Sequence, residues 1–287
     1  MWAEGFDDTL ARFARQDWQQ IGATDLAQAL AVPSMLSLAE SQLYHWCGRH
    51  AQGFGATVDL GAFAGGSAAR LLSGLMHSGQ PFHLHAFDRF TAGPRPQVNF
   101  LADQLEPSGK VVDILELAQA NLAPWQDHVH FYPGDICDMT WTGGPIEILA
   151  YDAGKDAATS DHIAAQFFPA LVPGRSLILH QDFLRPDQPW LAAQAIRLAA
   201  HLQPLARVDK DCVVFLWTKA VTPDDLAAAA TAGLTDDELV ARVQQARQAL
   251  TGMIEPAPFR RMERRIRANP GKRADWQLKP PKDPATP

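Results

Sequence analysis

The stretch VDLGAFAGGS, residues 58–67, joins a short apolar run containing a carboxylate to a loop of small residues. Glycines leave the backbone bare, so another molecule can approach this loop closely. A P-loop would continue with Gly-Lys-Ser/Thr, whereas here the glycine pair is followed by Ser67 and Ala68, which disfavours triphosphate binding. A dinucleotide fold would show Gly-x-Gly-x-x-Gly, but Ala62 and Phe63 occupy the place of the second glycine.

Around this loop, from Thr57 to Lys219, apolar runs of strand length alternate with amphipathic segments of helical pattern. The runs are TVDLG, FHLHAFD, HVHFYPGD, IEILAYD, SLILHQD and CVVFLWTK. Such alternation predicts an α/β fold in which helices cover both faces of a parallel sheet. Long, mostly apolar runs such as IEILAY suit strands that are buried on both sides. The sequence therefore predicts a doubly wound, Rossmann-like sheet.

The pattern changes at both ends of this region. Residues 6–31 and 34–51 have helical patterns, and the second includes the capping box Ser37-x-x-Glu40. The last dozen residues are rich in Pro and charge, and we expect them to be disordered. The predicted parts are a helical lead-in, a core, and a C-terminal helical extension with a basic, Pro-rich tail, over residues 1–52, 53–220 and 221–287.

The composition argues against several classes of protein. The 287 residues carry a formal net charge of −7 with a pI near 5.8, which argues against a nucleic-acid partner bound through its phosphates. The three cysteines are widely spaced without a CxxC pair, so neither a disulfide framework nor a zinc site is indicated and a cytoplasmic location fits best. The acidic N-terminus lacks a signal-peptide pattern, and no stretch approaches about 18 apolar residues, so we expect no membrane span.

Carboxylates recur at or near the ends of the predicted strands, at Asp59, Asp88, Asp135, Asp152 and Asp182. In an open parallel sheet the ligand crevice lies at the carboxyl ends of the strands, so these acids should converge on one rim. A single one of them is more simply explained as a helix N-cap. Their recurrence at strand after strand favours a functional site.

The pattern Asp59-x-Gly61-x-x-x-Gly65 resembles motif I of the class I S-adenosylmethionine-dependent methyltransferases. The likeness runs from about Ser34 to Lys219. It implies a seven-stranded sheet whose last two strands, near LARVDKD and CVVFLWTK, form an antiparallel ending.

The same resemblance implies a set of cofactor-binding residues, namely Asp59, Gly61, Gly65, Ser67, Asp88, Gly134, Asp135 and Ile136. The glycines would lie against the methionine part of S-adenosylmethionine, and Ser67 and the helix start after it would meet its carboxylate. Asp88 stands where the family accepts both ribose hydroxyls, a task that suits a two-oxygen acceptor. Asp135 would accept the adenine amino group, with a plain turn residue in Pro-Gly-Asp as the alternative.

Two subgroups of that superfamily resemble the sequence most. VDLGAFAGGSAARL and YDAGKD are similar to the catechol O-methyltransferase type, while SMLSLAESQLYHW, FDRF and HQDF are similar to the macrocin O-methyltransferase type, which methylates sugar hydroxyls of natural products. Both types hold Mg²⁺ on an Asp after strand four and an Asp-Asn or Asp-Asp pair after strand five. The corresponding residues here are Asp152 and the pair Gln181-Asp182. Either two carboxylates and an amide bind Mg²⁺ weakly, or the neutral glutamine has abolished the metal.

The predicted catalytic residues are Asp152, Lys155 and His180. Lys155 can act as a base only if burial and neighbouring cations lower its pKa, and the nearby Asp152 and Asp156 oppose this. The ordinary pKa of histidine already lies near neutrality, which favours His180 as the base. The structural alternatives are a solvated lysine in the first turn of a helix and a hydrogen-bonded histidine at a strand end.

We therefore expect an S-adenosylmethionine-dependent O-methyltransferase that acts on a hydroxyl of a small molecule, sugar or glycan. The alternatives are a nicotinamide-dependent oxidoreductase and a non-catalytic scaffold that retains the cofactor fold. The long loop at residues 89–110 is either a lid that brings Arg89 and Arg95 to the acceptor or a plain surface loop.

The C-terminal segment from Phe259 onward is expected to be separable from cofactor binding. Its arginines cluster on a polar helix, and its main apolar side chains are Phe259, Met262 and Ile266. These three side chains would dock the segment, with the surface of a second subunit of a homo-oligomer as one candidate site. Truncation after about residue 255 is then expected to leave cofactor affinity unchanged and to alter the oligomeric state.

Overall fold

The computed structural model describes residues 6–281, and its centre is one seven-stranded sheet. The strands are β1 (Ala56–Leu60), β2 (Leu84–Asp88), β5 (Val129–Pro133), β6 (Ile146–Tyr151), β7 (Leu177–His180), β8 (Leu202–Val208) and β9 (Cys212–Trp217). A separate antiparallel ribbon joins β3 (Thr91–Ala92) to β4 (Val112–Asp113).

The strand order across the large sheet is β5-β2-β1-β6-β7-β9-β8. Strand β9 is antiparallel to both of its neighbours, and the pairs among β5, β2, β1, β6 and β7 are parallel. The predicted doubly wound sheet with an antiparallel ending is confirmed. The chain moves outward from β1 in one direction to β2 and β5, then returns to β6 on the other side. The crevice at the carboxyl ends of β1 and β6 is therefore the topological switch point, where such sheets bind ligands.

The central strands are buried on both faces, as their sequences predict. Every residue of β6, with the sequence IEILAY, is buried. Its only charged side chain, Glu147, accepts hydrogen bonds from the backbone N–H groups of Gln52 and Gly53 at 2.5 and 2.9 Å. The buried carboxylate is thus paired, as burial of a charged group requires.

Helices form two layers, one on each face of the sheet. One layer contains α1 (Phe6–Ala14), α2 (Ala23–Leu30), α3 (Leu38–Arg49), α4 (Gly66–Leu75) and α6 (Leu115–Asn121). The other contains α7 (Ala157–Phe167), α8 (Pro189–Arg197), α9 (Pro223–Ala229), α10 (Asp236–Ala249) and α11 (Ala257–Ala268). The short helix α5 (Pro94–Phe100) lies beside the small ribbon. Within residues 6–281, no helix has both the length and the apolar content needed to cross a bilayer.

The N-terminal helices differ from the prediction in one respect. The pattern over residues 6–31 predicts continuous helix, but Gln16 adopts a left-handed conformation with φ of 55°, and a short 3₁₀ helix separates α1 from α2. The predicted capping box before α3 is confirmed, because the Ser37 hydroxyl accepts from the Glu40 N–H at 3.2 Å and the Glu40 carboxylate accepts from the Ser37 N–H at 2.8 Å. The break therefore lies in the lead-in and leaves the start of α3 as predicted.

The C-terminal segment packs on this chain itself. Phe259, Met262 and Ile266 on α11 are at most 1% exposed and belong to the core layer that also contains α8 and α10. These side chains are therefore not available to dock on a second subunit. The chain then runs as an irregular segment, residues 273–278, which we call the C-terminal strap. Leu278 in the strap is 1% exposed, so the expected disorder of the last dozen residues is wrong for this part, while residues 282–287 lie outside the described residues.

Candidate functional site

Two adjoining cavities open at the switch point of the sheet. The larger has a volume of about 280 Å³ and the smaller about 210 Å³. Both are lined by Gly61, Asp88, Asp152 and Lys155, so they form one cleft. The larger cavity extends along the β2 and β5 side toward Asp135, whereas the smaller one lies over the start of α4.

The glycine loop after β1 lies very close to other segments of the chain. Gly61 has φ of +97°, and a Cβ placed there would lie 3.0 Å from the carbonyl oxygen of Asp152. Gly65, with φ of +92°, precedes the first residue of α4. A Cβ on Gly66 would lie 2.4 Å from the carbonyl oxygen of Pro33. Bare backbone therefore lets residues 33–36 lie against the start of α4, where they line the smaller cavity.

Asp59 is hydrogen-bonded to this loop and lines neither cavity. It is 1% exposed, and its carboxylate accepts the Ser67 hydroxyl hydrogen at 2.7 Å. Burial raises the pKa of Asp59 to about 7, an effect that the hydrogen bond from Ser67 partly opposes. The expected contact of Asp59 with the cofactor is therefore replaced by a contact with Ser67, which does line the smaller cavity.

Asp88 lines both cavities and holds two backbone segments. Its carboxylate accepts hydrogen bonds from the N–H groups of Phe63 at 2.9 Å and Phe90 at 2.6 Å. Both phenylalanines have φ of 49°, in the left-handed region that non-glycine residues rarely adopt. Burial raises the pKa of Asp88, and these two N–H groups oppose the rise. Asp88 therefore fixes the glycine loop to the end of β2.

Asp135 and its neighbours form the far end of the larger cavity. Its carboxylate accepts from the Cys137 N–H at 3.0 Å and from the Arg89 guanidinium at 2.5 Å. These two donors lower the pKa of Asp135, the Cys137 N–H having the larger effect. The Pro-Gly-Asp turn predicted as the structural alternative is present, and Gly134, Asp135 and Ile136 also line the cavity. Both interpretations of Asp135 are therefore compatible with the geometry.

The predicted lid at residues 89–110 is a compact segment. Gln97 is fully buried, and its amide donates to the carbonyl oxygens of Ala92 at 2.7 Å and Lys110 at 2.5 Å. Arg89 reaches the larger cavity, but Arg95 is exposed and is not among the residues that line it. The arrangement matches the predicted surface loop more closely than a lid that carries both arginines.

Lys155 lies at the centre of the cleft between two carboxylates. Its ammonium donates to Asp152 and, at 2.5 Å, to Asp182. Burial alone would lower the pKa of Lys155, but the two carboxylates raise it above its usual value. Asp182 also accepts from the amide of the buried Gln188 at 2.8 Å. The two carboxylates therefore favour the protonated form of Lys155 and argue against its predicted role as a base.

The three predicted metal ligands do not converge on one point. Gln181 donates to the Glu40 carboxylate at 2.5 Å and accepts from the Tyr44 hydroxyl at 3.2 Å, so its amide is directed to α3. The ammonium of Lys155 lies between the other two candidates, Asp152 and Asp182. Across residues 6–281, no cluster of three or more His, Cys, Asp or Glu side chains is arranged to hold a metal ion. These residues do not fit Mg²⁺ in this arrangement.

His180 lies on the opposite face of the sheet from Gln181. Its ring stacks on Tyr151 with centroids 4.3 Å apart, and it lines neither cavity of the cleft. It is 5% exposed, and burial lowers its pKa to about 3. Alternation along SLILHQD places His180 with Ile178 in the layer of α7 and α8, which explains why the structure does not bring it to the site.

Two chain segments away from the predicted strand-end loops also line the cleft. Residues 33–36 line the smaller cavity, and Trp276 of the C-terminal strap lines the larger one. The bare Gly66 is the local signal for the first contact. The sequence carries no local signal for the second, because the strap lies far along the chain from the cleft loops.

Comparison with solved structures identifies the fold. The O-methyltransferase NovP superposes with a TM-score of 0.52 at 17% sequence identity, covering 65% of this chain and 82% of that protein. The TDP-rhamnose 3′-O-methyltransferase CalS11 gives a TM-score of 0.46 at 13% identity, covering 74% and 94% of the two chains. The Podospora anserina methyltransferase PaMTH1, solved with S-adenosylhomocysteine, gives 0.43 at 15% identity, covering 74% and 88%. The sequence matches no protein-family model and no curated protein. The chain has the class I methyltransferase fold.

Proposed function

We propose that this protein is an S-adenosylmethionine-dependent O-methyltransferase that acts on a hydroxyl group of a small molecule or sugar. The observation that carries the proposal is the cleft at the switch point. Asp88 and Asp135 line its larger cavity, Ser67 and the start of α4 line the smaller one, and Asp152 and Lys155 lie where the two cavities meet. The fold shared with the O-methyltransferase NovP supports the proposal.

The residues of the cleft fit S-adenosylmethionine. Gly61 lines both cavities at the end of β1 and presents only backbone to a ligand there. Each Asp88 oxygen accepts one backbone N–H and retains acceptor capacity, which a ribose diol would use. Backbone N–H groups at the start of α4 would meet the carboxylate of the methionine part, and Asp135 with Ile136 would border the adenine. When bound, the cofactor supplies a methyl group on a positively charged sulfur.

Ser67 has a narrower role than the sequence suggests. Its hydroxyl hydrogen is donated to Asp59, so the oxygen is left only as an acceptor. It would therefore contact the ammonium of the methionine part and leave the carboxylate to the backbone N–H groups of α4. Asp59 then acts through Ser67 as a positioning residue.

Asp152 is the group placed to remove the proton from the acceptor hydroxyl. It lines both cavities, and burial raises its pKa, an effect that the Lys155 ammonium partly opposes. A raised pKa makes a carboxylate a better general base. The flanking carboxylates raise the pKa of Lys155, so its ammonium form would stabilise the developing negative charge on the acceptor oxygen. His180 lies outside the cleft and takes no part in this scheme.

Assistance by Mg²⁺ is not part of the proposed mechanism. The ammonium of Lys155 lies between Asp152 and Asp182, and the amide of Gln181 is engaged by Glu40 and Tyr44. A divalent cation would have to displace the lysine and would still lack the third ligand. The positive charge beside the acceptor oxygen therefore comes from the protein itself.

Calorimetric titration with S-adenosylhomocysteine and, separately, with NAD tests the proposal. We expect binding of S-adenosylhomocysteine, abolished or weakened in Asp88→Ala, and no binding of NAD. Labelled methyl transfer from S-adenosylmethionine to a panel of phenols, catechols and sugar nucleotides then tests the acceptor class. Binding of NAD alone would favour an oxidoreductase, and tight S-adenosylhomocysteine binding without transfer to any hydroxyl acceptor would favour the scaffold.

A further inference from the structure

Trp276 is more exposed than the other tryptophans that the structure describes, of which Trp141 is partly buried. Trp18, Trp46, Trp125, Trp190 and Trp217 are each at most 3% exposed, whereas Trp276 is 58% exposed and lines the larger cavity. Among the described residues it is the only exposed tryptophan. An indole is large and apolar, so we expect one that lines a ligand cavity to pack against the bound ligand.

The strap that carries Trp276 is firmly attached on both sides of this residue. The Ala157 N–H donates to the Arg273 carbonyl and the Asp275 N–H donates to the Lys155 carbonyl, each at 2.9 Å. The Arg273 guanidinium donates to Asp236 at 2.8 Å, and Leu278 is 1% exposed. The backbone of the strap is therefore positioned by the start of α7 and by α10, while the indole remains free to meet a ligand.

The chain segment just before the residues that hold the strap lacks large side chains. Ala153 lines the larger cavity and is followed by Gly154, where a Cβ would lie 2.9 Å from the Tyr151 hydroxyl and 3.0 Å from Leu191. This end of β6 therefore offers no aromatic surface of its own to the cavity. Trp276 follows Gly154 by 122 residues in the chain, and together with Phe87 of β2 it supplies the aromatic surface of this cavity.

We propose that Trp276 forms the wall of the larger cavity against which the adenine of the cofactor packs. The inference rests on the proposed function, because Asp88 and Asp135 assign the adenosine end of the cofactor to this cavity. Adenine is the only aromatic part of that cofactor, and stacking on an indole is a favourable contact for a base. The C-terminal extension is then part of the cofactor site, contrary to the expectation that it is separable.

Titration calorimetry with S-adenosylhomocysteine on the full chain tests this inference. Trp276→Ala should weaken binding by roughly ten- to a hundredfold, the usual loss when an aromatic side chain stacked on a base is removed. Trp276→Phe retains a ring and should lose less. Phe100→Ala, which removes an aromatic side chain that is 38% exposed outside the cleft, is the matched control and should bind normally.

Fluorescence provides a readout that a purely structural role would not change. Ligand stacking should quench Trp276, so the quenching that accompanies S-adenosylhomocysteine binding should disappear in Trp276→Phe although binding persists. If Asp88→Ala weakens binding while Trp276→Ala, with an unchanged melting temperature, binds as the wild type does, the role of Trp276 is refuted and the proposed function stands. If the wild type itself does not bind S-adenosylhomocysteine, both are refuted.

Discussion

Replacement of Asp88 by alanine should lower both stability and cofactor affinity, because the carboxylate has a structural and a binding role. In the folded protein it accepts the N–H groups of Phe63 and Phe90 at 2.9 and 2.6 Å. Each hydrogen bond to a charged acceptor contributes about 1.5–3 kcal/mol, and the burial that raises the pKa of Asp88 offsets part of this. We expect Asp88→Ala to lose about 2–4 kcal/mol of unfolding free energy.

The two roles can be separated with a second variant. Asp88→Asn keeps one acceptor oxygen for a backbone N–H and should lose about half as much stability. Both variants should weaken S-adenosylhomocysteine binding by roughly ten- to a hundredfold, since a charged acceptor for the ribose diol is lost.

Urea unfolding and calorimetry measure these two quantities, and Asp103→Ala, at an exposed position outside the cleft, serves as control. A stable Asp88→Ala variant would refute the loop-anchoring argument. A folded variant with wild-type affinity would refute the ribose assignment.

Three further outcomes are expected. Gly66→Ala should cost about 1–3 kcal/mol of stability, measured by urea unfolding, because its Cβ would lie 2.4 Å from the Pro33 carbonyl oxygen; an unchanged midpoint would contradict this close approach. Burial raises the pKa of Asp59 to about 7, above its unfolded value of about 3.9, so the stability that this group contributes is complete below about pH 4 and is lost as the pH rises through 7. Asp59→Asn cannot ionise, so it should lose less stability than the wild type as the pH rises, by up to about 4 kcal/mol at pH 9. Identical profiles of unfolding free energy against pH for the two proteins would contradict the raised pKa of Asp59. Activity on any acceptor found by screening should survive treatment with EDTA. Lys155→Ala should gain affinity for Mn²⁺ in calorimetry, because Asp152 and Asp182 lose the ammonium between them. Activity that disappears with EDTA and returns with Mg²⁺ would contradict the metal-free mechanism.

The sheet could be predicted from sequence because its signals are local. Runs such as IEILAY identify buried strands one by one, and the Asp59-x-Gly61 pattern identifies the strand that the glycine loop follows. Convergence of Asp88, Asp135 and Asp152 on one cleft follows from the parallel arrangement of their strands. These parts of the site needed no knowledge of side-chain contacts.

The chemistry at the centre of the cleft could not be predicted in the same way. The residue types Asp152, Gln181 and Asp182 are compatible with a metal site, and only the position of the Lys155 ammonium and the direction of the Gln181 amide show otherwise. His180 is a different case. The alternation of side chains along SLILHQD places it on the other face from Gln181, so the sequence alone argues against His180 in the cleft.

The attachment of the strap has a consequence for the dynamics of the cleft. Its backbone hydrogen bonds to residues 155 and 157 connect the cavity wall to α10 and α11, which lie outside the sheet. Proteins open in cooperative units of unequal stability, and peripheral helices generally open before a central sheet. Amide hydrogen exchange of Ala157 and Asp275 should therefore follow the opening of the C-terminal helices. A mutation that loosens α11 would then expose one side of the cleft while the sheet remained fully folded.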